Sequence, residues 1–322
     1  MKKILIIRLG AIGDVVHTTN IIRSIKAQYP TVEIHYATGI APAQLLKNDS
    51  QISKLFILSK KYSDLTKLGL ELAKEKFDLI LNLQPSVRFR YLCFLAFPKK
   101  IIEYKKQLDL HAVENFFRTA KKAFSDIKNP DNLRLELSNN VVEKVKQDLS
   151  QDKKIVILNT QTSVTRKGRK WTQENFKKLA LMLVEKYNCE ILFSGAKEDI
   201  DAVKCYENLH PNVKVIAGKY SLEESAAVFS LCDVMISSDT GPLHIATAFE
   251  KPRCIGLYGA AVIERTGPWG KNHFTLSAGL DCSPCSSRNC KIKGFETSDI
   301  NPCLCAIKPE YVMKIIEENN LL

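Results

Sequence analysis

The stretch 237–248 combines residue types that can bind an anion, and it reads Ser-Ser-Asp-Thr-Gly-Pro-Leu-His-Ile-Ala-Thr-Ala. The apolar run 234–236 before it predicts a buried strand, and Pro242 suits the first position of a following helix. A helix N-terminus offers backbone N–H groups and a partial positive charge, which favour a phosphate. Asp239 could cap this helix, and His244 would direct its ring at the same anion. The other interpretation is an ordinary capped helix.

An acidic residue ends the turn that follows the first apolar run. The sequence Gly10-x-x-Gly13-Asp14 comes soon after 3–7, a run typical of a parallel strand covered on both faces. The glycines permit a close turn at the carboxyl end of the strand, where open α/β sheets bind ligands. The dinucleotide fingerprint needs a third glycine, which is missing here. Asp14 could cap the next helix or act as a general base.

Two polar segments of the second half also follow predicted strands. Residues 160–170 form a basic loop with hydroxyl side chains, which closes on Trp171 and suits a phosphate; a solvated loop is the alternative. Glu198 comes shortly after the apolar run 190–193, where a carboxylate can accept hydrogen bonds from ribose hydroxyls. Together these segments indicate a nucleotide-like ligand.

An alternation of strands and helices would position these residues. Apolar runs typical of strands lie at 3–7, 33–37, 55–58, 79–83, 154–158, 190–193, 213–216, 234–236 and 253–257. Helical patterns between them indicate right-handed βαβ units and parallel sheets, an α/β fold. The polar segment 128–152 is predicted to hold the hinge. We therefore expect an N-terminal domain at 1–150 and a C-terminal domain at 151–322.

Positive charge is concentrated in the first half. The formal net charge is +12, and residues 1–150 hold 25 Lys and Arg against 15 Asp and Glu, whereas 151–322 hold 22 against 20. This predicts an acidic partner, although lysines that only solvate the surface would give the same pattern. Between 88 and 122 basic and aromatic residues interleave, as on surfaces for nucleic acid or acidic lipid. Without a nucleic-acid motif we expect no nucleic-acid partner, and Arg88 and Arg90 are acceptor-binding candidates.

The sequence also bears on location. No apolar run reaches the roughly 20 residues that span a bilayer. The start resembles a signal peptide, but Arg8 and Asp14 interrupt it and no small-residue cleavage site follows. We therefore expect a cytoplasmic protein with reduced thiols in apolar contexts. Five cysteines are scattered in this way: Cys93, Cys189, Cys205, Cys232 and Cys254.

The other five cysteines cluster near the C-terminus, at Cys282, Cys285, Cys290, Cys303 and Cys305. Four thiolates can hold a structural zinc ion in a tetrahedron, although Cys-x-Cys is unusual ligand spacing. Free thiols and disulfides are the alternatives.

Taken together, these motifs resemble those of the ADP-heptose:lipopolysaccharide heptosyltransferases, glycosyltransferase family 9. The resemblance spans nearly the whole chain, and the stretch that begins at Asp239, together with Leu257-Tyr258-Gly259, is its most specific part. It implies a GT-B fold, in which two Rossmann-like domains face each other across a cleft. The second domain would hold the nucleotide sugar, and the last helix, at about 309–319, would pack back on the first domain.

The resemblance also implies a reaction and the residues that perform it. The transfer would invert the anomeric centre in one displacement and require no cofactor. Asp14 matches the family's acidic residue and would be the general base. Thr240 and Gly241 would hold the leaving diphosphate, with Asp239 and His244 in the same donor site.

Further donor contacts are implied in the same way. Lys170 or Arg169 matches the family's phosphate-contacting cation, since the usual lysine lies two residues before the tryptophan and Arg169 occupies that place. Glu198 would bind the ribose, and Tyr220 would flank the adenine. All of these positions lie in the half of the chain predicted to bind the donor.

Three departures from the family leave the donor sugar open. Asn159-Thr160-Gln161 stands where many members have Pro-Gly-Ala, Thr172 stands where many have Pro after the tryptophan, and Asn20 replaces a frequent Pro. The leading hypothesis is a heptosyltransferase at the cytoplasmic face of the inner membrane that uses ADP-heptose and a lipopolysaccharide core acceptor. The alternatives are a family 9 enzyme with another nucleotide sugar and surface glycan, or a non-catalytic nucleotide or nucleic-acid-binding protein.

Overall fold

Two parallel β-sheets, one in each half of the chain, organise the protein. The computed structural model describes residues 2–58, 62–129, 132–160, 170–285, 290–295 and 301–322. The chain divides into two compact units, Met1–Leu137 and Ser138–Leu322, each with its own sheet.

The first unit has five strands in the order β3-β2-β1-β4-β5. The strands are β1 (Lys3–Ile7), β2 (Glu33–Gly39), β3 (Lys54–Leu58), β4 (Leu79–Asn82) and β5 (Ile101–Glu103). The helices are α1 (Ile12–His17), α2 (Thr19–Gln28), α3 (Ile40–Leu46), α4 (Tyr62–Lys74), α5 (Val87–Leu95) and α6 (Ala112–Lys121). All strand pairs are parallel, and β1 pairs with both β2 and β4. The strand order therefore reverses between β1 and β4, and a crevice at the carboxyl ends of such strands is where ligands bind.

The second unit has six parallel strands in the order β11-β10-β9-β6-β7-β8. The strands are β6 (Ile155–Asn159), β7 (Glu190–Ser194), β8 (Val213–Val215), β9 (Val234–Ser238), β10 (Arg253–Tyr258) and β11 (Phe274–Ser277). The helices are α7 (Asn139–Lys146), α8 (Gln173–Tyr187), α9 (Ile200–Val203), α10 (Leu222–Leu231), α11 (Gly241–Ala246), α12 (Ile263–Thr266), α13 (Pro302–Cys305) and α14 (Pro309–Glu318), with 3₁₀ turns at Lys197–Asp199 and Lys204–Tyr206. Here the order reverses between β6 and β9.

The central strands explain why each unit is stable. In β1 the residues from Ile4 to Ile7 are all fully buried, as expected for a strand covered on both faces. Each such side chain contributes about 1.5–3 kcal/mol relative to an exposed one. The continuous apolar runs of the sequence are therefore the cores of the two sheets.

The boundary between the units lies earlier than the predicted residue 150, because helix α7 belongs to the second unit. Helix α7 packs on α10, and its Val145 is fully buried. Lys144 pairs with Glu224 across this contact at 2.6 Å. The polar segment that was expected to be a hinge thus contains a packed helix.

The last helix packs on elements of the second unit, and its predicted packing on the first domain stays a prediction. Helix α14 lies against α8 and β11, and its Val312 and Ile316 join the second hydrophobic core. Ion pairs from α8 reach Glu310 and Glu317 of α14. The apolar stripe of this helix is therefore buried against its own unit.

Local patterns predicted most strands but missed several elements. Strands β5 and β11 and helices α5 and α6 were not predicted, and the segment from Ile12 to Gln28 forms two helices that meet at Thr18. The Thr18 hydroxyl donates to the Val15 carbonyl at 2.7 Å, so a side-chain bond competes with helix continuation there. In the part of the chain that the structure describes, no helix has the length and apolarity to cross a membrane.

Candidate functional site

Asp14 lies in the first turn of helix α1, directly beyond the carboxyl end of β1. The N-cap is Ala11, so Asp14 is not the capping residue that the sequence left as an alternative. An acidic residue at this position still interacts favourably with the helix dipole. The Asp14 side chain is 34% exposed, so a ligand can reach its carboxylate.

Arg8 holds Asp14 in place. Its Nη2 atom pairs with Oδ2 of Asp14, while Nη1 donates to the Leu83 carbonyl at 2.6 Å. The guanidinium also lies 5.2 Å from the centroid of the Phe116 ring. Arg8 is buried and connects the end of β1 to the segment after β4. In the sequence Arg8 was only the residue that ends an apolar run, because its partners come from distant segments.

Other side chains fix the same edge of the sheet. The Gln84 amide oxygen accepts a hydrogen bond from the Leu9 backbone at 3.2 Å. Behind α1, the Tyr36 hydroxyl lies 2.6 Å from the Thr18 hydroxyl, which itself donates to Val15. Burial raises the pKa of Tyr36, so the phenol stays protonated and donates to Thr18. The turn that carries Asp14 is thus supported from both sides.

The corresponding edge of the second unit carries a hydroxyl and amide network. Asn159, the last residue of β6, donates from Nδ2 to Ser237 at 3.0 Å and to Thr240 at 3.2 Å. The Ser237 and Thr240 hydroxyls lie 2.8 Å apart, and Ser237 donates to the Ser238 carbonyl. Because the Ser237 proton is used there, the Thr240 hydroxyl donates to Ser237. This contact requires β6 and β9 to be neighbours.

Thr240 is the N-cap of α11, but its hydroxyl makes no capping bond since it faces Ser237. Pro242 is the second residue of α11, one position after the predicted first position, and it lacks an N–H. The N–H groups of Gly241 and Leu243 have no intrahelical carbonyl to which they could donate. These two backbone groups are the ones that the helix N-terminus can offer to an anion, and the predicted role of Thr240 in holding the diphosphate stays a prediction.

Asp239 and His244 form a buried pair. Nε2 of His244 lies 3.3 Å from Oδ1 of Asp239, and each side chain is 7% exposed. Asp239 therefore does not cap α11, which corrects that sequence expectation. The pair fixes the orientation of the imidazole beside the helix N-terminus.

Of the basic loop 160–170, the structure describes Thr160 and Lys170. Lys170 is half-buried, whereas Arg169 lies outside the described residues, so the choice between them as the phosphate-contacting cation stays a prediction. Trp171 is buried, and its indole N–H donates to the Ile307 carbonyl at 2.9 Å. This bond anchors the end of the loop to the segment before α14.

The two residues expected to contact the nucleoside lie in different surroundings. Glu198 is exposed on the turn Lys197–Asp199. The Tyr220 hydroxyl donates to Asp148 at 2.9 Å, and the Lys219 ammonium lies 5.1 Å from the centroid of its ring. Lys219 and Tyr220 together lower the pKa of Asp148. One ring face of Tyr220 is thus close to Lys219, and its contact with the adenine stays a prediction.

The acceptor candidates lie on helix α5 of the first unit. Arg90 is exposed, and its Nε lies 2.9 Å from both carboxylate oxygens of Glu103. The Arg88 guanidinium is 5.9 Å from the centroid of the Phe89 ring. The charge of Arg90 is therefore balanced within the protein, which weakens its case as an acceptor contact.

Four cysteines of the C-terminal cluster line one cavity, namely Cys282, Cys285, Cys290 and Cys303. All ten cysteines of the chain are free thiols, so the disulfide alternative is not observed. Burial raises the pKa of Cys303, which favours its protonated form. Among the described residues no group of three His, Cys, Asp or Glu side chains is arranged to hold a metal ion. A structural zinc ion at this cluster therefore stays a sequence prediction.

Comparisons with known proteins agree with these features. A sequence model described as glycosyltransferase family 9 (heptosyltransferase) matches residues 88–296. The chain is 25% identical over 321 residues to lipooligosaccharide heptosyltransferase 2 of Campylobacter jejuni, and the match covers 95% of each chain.

Two solved structures resemble this one along their whole length. A family 9 glycosyltransferase of Veillonella parvula superposes with a TM-score of 0.82 and 21% identity, covering 98% of this chain and 96% of that one. ADP-heptose lipopolysaccharide heptosyltransferase II of Escherichia coli gives 0.78 and 18%, covering 100% and 98%. These likenesses confirm the predicted GT-B class with two Rossmann-like α/β halves.

Proposed function

This chain belongs to glycosyltransferase family 9, and we propose that it transfers heptose from ADP-L-glycero-D-manno-heptose to the inner core of lipopolysaccharide. The family model covers most of the chain, and the Campylobacter relative matches it nearly end to end. The relative's name, lipooligosaccharide heptosyltransferase 2, supports both the transferred sugar and the class of acceptor. The name of the Escherichia coli structure supports ADP-heptose as the donor.

The observation that carries the catalytic part of the proposal is the Arg8–Asp14 pair. The solvent-accessible carboxylate of Asp14 is held by the buried guanidinium of Arg8 at the carboxyl edge of the first sheet. In that position Asp14 would take the proton of the acceptor hydroxyl, a role that typically contributes 10²–10⁴-fold. Arg8 would keep the carboxylate aimed at the substrate during the transfer.

The proposed reaction is a single displacement. As Asp14 removes its proton, the acceptor oxygen would form a bond to the anomeric carbon from the side opposite the diphosphate. The bond between that carbon and the diphosphate oxygen would break, and its electron pair would leave with ADP. The configuration at the anomeric carbon would therefore invert.

The second unit would stabilise the leaving diphosphate. The N–H groups of Gly241 and Leu243 at the start of α11 are suited to its oxygens, because negative charge develops there during the displacement. His244, oriented by Asp239, would lie beside the same diphosphate. Lys170 or Arg169 would add positive charge to the diphosphate, with Glu198 on the ribose and Tyr220 beside the adenine. Catalysis in this scheme needs no cofactor.

The acceptor would meet the first unit at a membrane. The positive charge of residues 1–150 suits the phosphorylated sugars of a lipopolysaccharide core. We propose that the enzyme works in the cytoplasm as a peripheral protein of the inner membrane face. Arg88 is the remaining acceptor candidate on α5, since Arg90 is paired with Glu103.

One observation favours a second candidate, a family 9 enzyme that uses another nucleotide sugar for a different surface glycan. Asn159 stands where many family members have proline, and its amide binds Thr240 next to the start of α11. A donor site with this network could select a different sugar.

Calorimetric titration without added metal and with a chelator tests the donor. We expect ADP-heptose and ADP to bind and UDP-sugars not to bind. Turnover of ADP-heptose with a Kdo-containing lipopolysaccharide acceptor, followed by analysis of the anomeric configuration, tests the reaction. Binding of a different nucleotide sugar alone would overturn the heptose assignment, and activity that the chelator abolishes would overturn the metal-free mechanism.

A further inference from the structure

Helix α5 of the first unit is apolar on both of its long sides. Phe89, Leu92 and Cys93 face the hydrophobic core of the first unit. Val87 and Phe94 face solvent and are 79% and 66% exposed. The outward side of a surface helix is normally polar, so these two exposed apolar side chains of α5 are unusual.

The exposed apolar surface extends beyond α5. Phe97 follows the helix, is 69% exposed, and has its ring centroid 5.8 Å from that of Phe94. Tyr91, also exposed, has its hydroxyl 3.4 Å from that of Thr66 on helix α4. Leu70 is exposed one turn after Thr66. We define the α5 patch as Val87, Tyr91, Phe94, Phe97 and Leu70.

Positive charge surrounds the α5 patch. Residues 88–122 contain nine Lys and Arg and three Asp and Glu. Lys99 and Lys100 directly follow the patch on the chain and are exposed, as is Lys67 between Thr66 and Leu70. Exposed aromatic and aliphatic side chains bordered by lysines are typical of protein surfaces that enter the interface of an anionic bilayer.

The α5 patch begins close to the edge that carries Asp14. Gln84, which binds the Leu9 backbone, lies only three residues before Val87. The Leu83 carbonyl accepts from Arg8, the partner of Asp14. A bilayer in contact with the start of α5 would therefore lie beside the proposed catalytic edge.

We propose that the α5 patch inserts into the interface of an anionic lipid bilayer and thereby presents a membrane-anchored acceptor to Asp14. The proposal deepens the proposed function and rests on it for the nature of the acceptor. The apolar side chains supply hydrophobic insertion, and the lysines supply attraction to acidic head groups. The bilayer is the chosen occupant because Lys and Arg outnumber Asp and Glu by nine to three in residues 88–122, and negative lipids complement this excess of positive charge.

Vesicle sedimentation with the full chain tests the proposal. We expect the protein to sediment with vesicles that contain phosphatidylglycerol and about tenfold less with vesicles of phosphatidylcholine alone. The double variant Phe94→Ser with Phe97→Asn should reduce binding to the acidic vesicles at least about tenfold, since two apolar anchors are lost. Asparagine suits position 97 because the residue there has a positive φ of 44°.

Two further variants test whether binding is specific to the α5 patch and how much the lysines contribute to it. Leu181→Ser with Tyr311→Ser removes two exposed apolar side chains of the second unit and should bind vesicles like the wild type. Lys99→Gln with Lys100→Gln should weaken binding to acidic vesicles at low salt and have little effect at high salt, where charges are screened.

The outcomes distinguish this proposal from the proposed function. Transfer to a lipid-free core oligosaccharide should be equal in wild type and in the Phe94 and Phe97 variant, while transfer to acceptor in vesicles should fall in the variant only. Unchanged vesicle binding in that variant would overturn the proposal, whatever the donor. A wild-type dimer that the same substitutions dissociate would also overturn it, because the α5 patch would then contact a second copy. If the protein bound vesicles but transferred no heptose, the proposed function would be wrong, and the proposal that the α5 patch binds a bilayer would stand.

Discussion

Arg8 and Asp14 form an ion pair across the turn between strand β1 and helix α1. The guanidinium is buried and also donates to the Leu83 carbonyl, so the carboxylate is held from the protein side while its other side is open to solvent. A base positioned in this way does not have to be reoriented when the acceptor binds.

Replacing Asp14 by asparagine should remove the base and preserve the shape of the turn. We expect Asp14→Asn to lower kcat by about 10²–10⁴-fold and to leave the donor Kd unchanged. Steady-state kinetics and calorimetry measure the two quantities. Glu71→Gln, a change of an exposed carboxylate on α4, is the matched control and should behave like wild type. An Asp14→Asn enzyme with near-normal kcat would contradict the assignment.

Arg8 should act through Asp14, and a double-mutant cycle can test this. Arg8→Gln alone should lower kcat by about 10–100-fold, because the carboxylate loses its support. In the Asp14→Asn background the same change should cost little, since its target is already absent. Additive losses in the double variant would show that Arg8 has a separate role. Circular dichroism of each variant controls for folding.

Asn159 should determine donor affinity. Asn159→Ala removes the amide that binds both Ser237 and Thr240, and it should raise the Kd for ADP about tenfold. Asn212→Ala is the matched control. Asn212 lies just before β8, at the amino edge of the same sheet, and its amide donates to Asn188. That change should affect stability and not the ADP Kd. Equal ADP affinities for the two variants would argue against the network as part of the donor site.

His273 should make the second unit sensitive to acid. Burial and the nearby Arg253 lower its pKa from 6.5 to about 4, and its Nδ1 accepts the Cys254 N–H at 3.2 Å. Between these pH values the unfolded chain binds a proton at His273 and the folded protein does not. The free energy of unfolding therefore falls as pH drops from 6.5 to about 4, by roughly 2–3 kcal/mol from this group.

The His273→Asn variant can isolate this contribution, because its amide oxygen can still accept the Cys254 N–H. Urea unfolding of the wild type at several pH values across this window should show a steeper loss of stability than that of the variant. Parallel curves for the two proteins would refute the role of His273.

The thiols should differ widely in reactivity. Cys205 and Cys282 are exposed, whereas Cys232 and Cys254 are fully buried, and burial raises the pKa values of the buried pair. We expect a maleimide to label the exposed pair in the native protein long before the buried pair. Mass spectrometry of peptides after timed labelling measures this, and labelling in urea is the control in which all four react. Early labelling of Cys254 would contradict the buried placement.

Much of the scaffold could be predicted from local pattern. The apolar runs marked nearly all of the strands because a parallel strand buried on both faces must be apolar throughout. Pro242 marked a helix start to within one residue, because α11 begins at Gly241. The turn that carries Asp14 could also be predicted locally, because glycines after a strand permit a close turn that larger residues hinder.

The sequence by itself thus determined most of the strands, the α/β alternation and the two sheet edges at which the candidate functional residues lie. Tertiary structure alone decided their partners: Arg8 meets Leu83, and Asn159 meets a serine 78 residues away, because β1 lies beside β4 and β6 beside β9. It also placed α7 and α14 in the second unit and left an apolar side of α5 in solvent. Periodicity reports which residues share a face, but it contains no information on which distant segment covers that face, since this is set by packing of the whole chain.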